Sequence, residues 1–149
     1  EKGQGGLEKA QCQLLALLLR YPACREAVFR YVQPEDFPEK EPAQSASDAP
    51  SENIFRRAAQ YIYDRRGETI AAADLISLAE DAKGQEELAR LGTQALPEEK
   101  AELAKLAGET VRLIRSVSLD TQLRSVTDAA KLQEIISQKK QLERINIQL

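Results

Sequence analysis

The carboxylates of Glu35, Asp36, Glu39 and Glu41 crowd one short stretch, where acid/base catalysis or binding of a divalent cation would be sought first. The stretch has no glycine at a turn position and no alternating oxygen ligands of the calcium-loop kind, so a solvated acidic loop is expected. Arg56, Arg57, Arg65 and Arg66 flank Tyr61 and Tyr63, and cations interleaved with aromatic rings can grip single-stranded nucleic acid. Asp64 and Glu68 dilute that charge, which favours a solvated helix face. Cys12 and Cys24 fall in apolar helical sequence, where a thiol behaves as a small buried hydrophobe. Histidine is absent, which removes Ser-His-Asp and Cys-His catalysis and most metal sites. Neither a phosphate-cradling glycine loop nor a dinucleotide fingerprint is present. The chain is therefore expected to be a non-catalytic binding domain with no cofactor and no metal. A small all-α enzyme working through Glu35 and Asp36 is the reading from a different class.

The side chains in question must be carried on helices. Apolar residues make up 42% of the 149 residues but aromatics only 5%, and the apolar set is mostly Leu, Ala and Ile. Acidic residues outnumber basic ones, 24 against 21, for a net charge of −3, so no overall basic excess suits nucleic acid. The longest apolar run, Leu14 to Leu19, is far below the roughly 18 residues needed to span a bilayer. No membrane association and a cytoplasmic location are expected. The chain has no Met, and residues 1–6 are glycine-rich, which suggests the end of a linker within a larger protein.

Punctuation by Pro and Gly divides the rest. A first helix is expected from Leu7 or Glu8 to Pro22, buried on nearly every side, and a second over residues 23–32 with Ala27, Val28 and Tyr31 facing inward. Residues 33–53 read mostly as loop. Asp48 or Ser51 is the expected cap of a third helix, with Ile54, Phe55, Ala58, Ala59 and Ile62 at helical spacing. A fourth helix follows Thr69, and Gly84 is expected to separate it from a short fifth over residues 86–91. Pro97 opens a long sixth, running to about Val126, and Asp128 caps a last helix from Ala129 to about Ile147. The expected architecture is all-α: a bundle of about six helices over residues 7–117, then a helical hairpin over residues 118–149.

The last helix carries more apolar surface than one neighbour can cover. At about 100° per residue, Ile135, Leu142, Ile145 and Leu149 form one stripe, and adding Leu132, Ile136 and Ile147 widens it to roughly 200°. A single antiparallel partner bearing Leu119, Leu123 and Val126 leaves part of this uncovered, which points to docking on another protein. The bundle core, expected from Leu14 to Leu19, Val28, Ile54, Phe55, Ile62, Leu75, Ile76, Leu88, Leu103 and Leu106, should not need the hairpin.

Taken together, EKAQCQLLALLLRYP at 8–22, QPEDF at 33–37, IFRRAAQYIYDRRGETI at 54–70 and the closing QKKQLERINIQL resemble the C-terminal helicase-binding domain of bacterial DNA primase. The resemblance covers essentially the whole chain; the segment from Pro38 to Asn53 departs from it by its length and its Pro, Ser and Ala content. It implies a six-helix bundle followed by a helical hairpin, and a monomer that docks a primase onto the replicative hexameric helicase and modulates helicase activity during DNA replication. Leu132, Ile135, Ile136, Lys139, Leu142, Arg144, Ile145 and Leu149 are the helicase-binding residues it implies. No direct nucleic-acid contact is implied for this domain. The N-terminal domain of a replicative helicase, self-associating through its hairpin, shares several of these patterns and is the alternative.

Overall fold

The computed structural model describes residues 2–38, 53–145 and 147, with side chains from residue 6 onward. The described residues are all-α, with no strand among them. The helices are α1 (Lys2–Arg20), α2 (Arg25–Phe29), α3 (Ile54–Asp64), α4 (Ala72–Ile76), α5 (Ala82–Thr93), α6 (Lys100–Ser125) and α7 (Ala129–Gln141). Short 3-10 turns at Pro22–Cys24, Pro34–Asp36 and Leu142–Arg144 precede α2, follow it and extend α7.

Helix α1 is the hub. Leu14 to Leu19 are all buried, so no face of this stretch is left for solvent, and α6, α5 and α3 pack around it. Phe55, Ala58, Ala59 and Ile62 on α3, Leu88 and Leu91 on α5, and Leu103, Ala107, Val111 and Ile114 on α6 complete the core. Helix α1 starts at Lys2, earlier than Leu7, through the glycines expected to form a linker.

Other departures have local causes. The cap of α3 is Asn53, whose Oδ1 accepts from Phe55 N at 3.2 Å; Asp48 and Ser51, the expected caps, lie outside the described residues. Asn53 also donates to Gln11 Oε1 at 2.7 Å and to Pro38 O at 2.9 Å, joining α3 to α1 and to the end of the preceding turn. Gly84 does not break a helix. Asp81 caps α5 by accepting from Gly84 N at 2.8 Å, and a Cβ on Gly84 would lie 2.9 Å from the Cβ of Ala79, so glycine here allows α5 to pack tightly against the turn before it. The second helix is shorter than expected, and its inward side is Arg25, Val28 and Phe29, with Ala27 and Tyr31 half-buried.

Arg25 is the unexpected member of the core. It is 1% exposed, and among the described residues no carboxylate pairs with it; its guanidinium instead donates to Leu18 O at 2.8 Å, Glu68 O at 2.7 Å and Arg66 O at 3.1 Å, with longer bonds to Leu19 O and Arg65 O. Burial pushes its pKa down from the ordinary value, but an arginine remains charged. Leu18 and Leu19 belong to the last turn of α1, whose carbonyls have no helical partner and carry the negative end of the helix dipole. Replacing Arg25 by Ala strands these carbonyls in the interior and should cost about 3 to 5 kcal/mol of stability. Arg25→Lys should recover only part, because an ammonium cannot reach both groups of acceptors. Urea unfolding of the two variants checks this; equal stability of Arg25→Ala and the parent chain would show the cluster to be dispensable.

Candidate functional site

Helices α6 and α7 form the C-terminal hairpin, joined through residues 126–128, with Asp128 accepting from Ala130 N at 3.0 Å as the cap of α7. Their antiparallel register is fixed by Arg115, which donates to Gln138 Oε1 at 2.9 Å, and by the ion pair of Lys139 with Asp120. Leu119 on α6 and Ile135 on α7 are both buried, yet neither belongs to the main core cluster; these two side chains mark the hairpin's seam.

Asp36 ties this hairpin to the bundle. One of its oxygens accepts from Arg115 at 2.9 Å and from Ser118 Oγ at 2.9 Å, while the other accepts from Gln33 N at 2.8 Å. The expectation of a solvated acidic loop fails at Asp36, which is 6% exposed, and holds for exposed Glu35; Glu39 and Glu41 lie outside the described residues. The reason is distant in sequence: Arg115 supplies the countercharge. The same arginine thus holds the 33–36 turn on one side and α7 on the other.

The expected partner-binding residues separate into distinct environments. Leu132 is 39% exposed and Ile136 half-buried, both on α7. Ile135 is 4% exposed and occupies the seam, so it is not on a free face. Lys139, half-buried, is engaged by Asp120. The helix ends at Gln141 rather than near Ile147, and the 3-10 turn at Leu142–Arg144 redirects the chain toward the bundle. Arg112 donates to Ile145 O at 3.2 Å, and Ile145 and Ile147 pack with the bundle core. The single wide stripe expected from a straight helix is therefore divided, and the bundle core does use residues from beyond α7. Leu149 lies outside the described residues.

Leu142, Arg144 and Ile145 contribute to a groove of about 570 Å³ between α2, α6 and the end of α7. Arg30, Tyr31 and Arg115 form its other side, with Gln138 and Gln141 along α7. The sequence pattern pointed to Leu142, Arg144 and Ile145 but not to Arg30, Tyr31 and Arg115, whose positions depend on how α2 meets α6.

The other candidates are structural. Arg65 lies 4.0 Å above the Tyr61 ring and Arg66 4.1 Å above Tyr63, while Phe29 meets Tyr63 edge-on at 5.0 Å. Those rings are occupied by neighbours in the chain rather than offered to a base. Cys12 and Cys24 are buried and free, and burial raises both thiol pKa values. Among the described residues, no group of three or more His, Cys, Asp or Glu is placed to hold a metal ion, and no helix is long and apolar enough to cross a membrane.

The fold and these contacts define an all-α bundle that carries an antiparallel helix pair. Comparison with family models, with curated proteins and with solved structures returns no match.

Replacing Asp36 by Ala removes the contacts to Arg115, Ser118 and Gln33 together, and should lower stability by about 2 kcal/mol or more. Amide exchange in α7 should accelerate more than in α1, and equal protection of α7 in variant and parent would show that Asp36 does not hold the hairpin. The thiols make a second prediction. Because their folded pKa values are raised, their contribution to stability is full below the ordinary thiol value of 9.0 and fades as pH rises above it, since unfolded thiols ionise first. Urea midpoints between about pH 7.5 and pH 10 should fall less for the Cys12→Ala, Cys24→Ala variant than for the parent; identical slopes would contradict burial of the thiols.

Proposed function

We propose that this domain docks a bacterial primase onto the replicative hexameric helicase, with α6 and α7 as the docking element. The observation that carries this reading is the outer flank of the hairpin. Helix α7 packs principally on α6, and its seam closes through Ile135, which leaves Leu132 exposed and Ile136 half-covered beyond it. At about 100° per residue, these two lie at roughly +60° and +100° from Ile135, on one flank of the helix. Leu123 and Val126, half-buried near the hairpin tip, extend the apolar character of that end. Such a face suits insertion into an apolar groove or addition to a partner's helices.

The resemblance of the α1, Gln33–Phe37 and α3 sequences to the primase helicase-binding domain supplies the partner. On this reading the domain is non-catalytic and cytoplasmic, acts as a monomer, and contributes binding and modulation of the helicase rather than chemistry. Arg144 and Lys139 would act on orientation and on-rate, and Lys139 less so because Asp120 already engages it.

The test is direct binding of the full chain to a hexameric replicative helicase, measured by interferometry. Leu132→Ala together with Ile136→Ala should weaken binding by about thirty-fold, in line with the loss of roughly 2 kcal/mol at an interface anchor. Leu132 is exposed and Ile136 only half-buried, outside the core cluster, so the melting temperature should fall far less than on loss of a core side chain. Absence of any binding by the parent chain, or unchanged binding by the folded double variant, would overturn the proposal; self-assembly of the chain into a ring would favour the helicase N-terminal alternative.

A further inference from the structure

The groove between bundle and hairpin is a different surface from the flank that bears Leu132 and Ile136. Measured from Ile135 at about 100° per residue, Gln138 and Gln141 lie at roughly −60° and −120°, on the opposite side of the seam. What lines the groove is chemically specific. Three arginines, Arg30, Arg115 and Arg144, converge on it, and among the described residues no carboxylate does. Arg115 is already paired with Asp36 and Gln138. Arg30 and Arg144 are exposed, and neither has a hydrogen-bond or ion-pair partner among the described residues. They come from different parts of the fold, Arg30 just after α2 and Arg144 from the turn after α7, so the fold itself brings the two free guanidinium groups to one opening. Between them are the half-buried apolar side chains of Leu142 and Ile145 and the ring of Tyr31.

We propose that this groove binds a short acidic peptide segment of another protein. Its carboxylates would be held by Arg30 and Arg144, and an adjacent apolar side chain would lie on Leu142 and Ile145. Guanidinium forks match carboxylates in a two-bond geometry, and a groove of about 570 Å³ has room for a few side chains. The charge argues for a peptide rather than a nucleic-acid strand: two free cations balance a pair of carboxylates, whereas a strand carries many phosphates toward a chain whose net charge is −3. This proposal does not depend on helicase docking.

The experiment titrates the full chain, labelled with nitrogen-15, with an end-capped hexapeptide of alternating glutamate, leucine and phenylalanine. A version with glutamine for glutamate, inorganic phosphate and a thymidine oligonucleotide are the comparison probes. Saturable shifts at the amides of Tyr31, Gln138 and Ile145 are expected with the acidic peptide, weakening as salt is added. Arg30→Glu or Arg144→Glu should each weaken binding by about tenfold or more, while Lys131→Glu, an exposed reversal on α7 outside the groove, should leave it unchanged. Should either reversal disturb folding, Arg30→Gln and Arg144→Gln carry the same expectation with a smaller loss. The proposal fails if the peptide gives no saturable shift, if the glutamine version binds as well, or if Lys131→Glu weakens binding as much as the groove variants. It also fails if phosphate or the oligonucleotide saturates these residues at lower concentration than the peptide.

Discussion

A buried cation that has no counter-ion among the described residues organises the bundle. The guanidinium of Arg25 reaches the carbonyls that end α1 and those of the turn that follows α3, so the places where two helices stop are fastened at one point. An ion pair would neutralise the charge locally; a ring of carbonyls instead makes the charge depend on the backbone of several segments at once. Because α2 begins at Arg25, its direction is also set there. Val28 and Phe29 then enter the core, and the following residues, Arg30 and Tyr31, arrive at the groove beside α6. The position of a surface feature thus depends on the satisfaction of backbone acceptors in the interior.

The second organising contact works outward from the bundle. Asp36 holds Arg115, and Arg115 holds Gln138, so an acidic turn near the start of the chain governs where the last helix lies. Helix α6 passes through this point without a break, serving the bundle core at Leu103, Ala107 and Val111 and the hairpin seam at Leu119. Compact bundle and hairpin therefore share a continuous helix, a polar link and the returning segment at Ile145 and Ile147. Motion of one relative to the other would have to break contacts in all three.

Helical periodicity sufficed for the all-α architecture, for the buried Phe55, Ala58, Ala59 and Ile62 of α3, and for a long α6 ending near Val126, because each rests on a local repeat. The starts did not follow, since α3 is capped by Asn53 rather than Asp48 or Ser51 and α6 begins at Lys100 rather than at Pro97. Features set by tertiary packing were invisible to that approach. Gly84 has the composition of a break, and only the proximity of Ala79 explains it as a close approach inside a helix. Asp36 reads as solvated until Arg115 is brought to it from far along the chain. A straight-helix projection kept Ile145 and Ile147 on the stripe of α7, whereas the turn after Gln141 sends them to the core. The groove was the least accessible of all, since its arginines come from three separate segments and no local spacing relates them.

The hydrogen bond from Asn53 to the carbonyl of Pro38 has an implication for how this fold tolerates change. Positions 38 and 53 are brought together by that one amide, with Gln11 of α1 as its third partner. The seat of α3 on α1 therefore rests on a buried polar pair: Asn53 and Gln11 are both shielded from solvent, so an apolar replacement of either would leave the other's amide without its partner in the interior. Divergence at these two positions would have to be concerted.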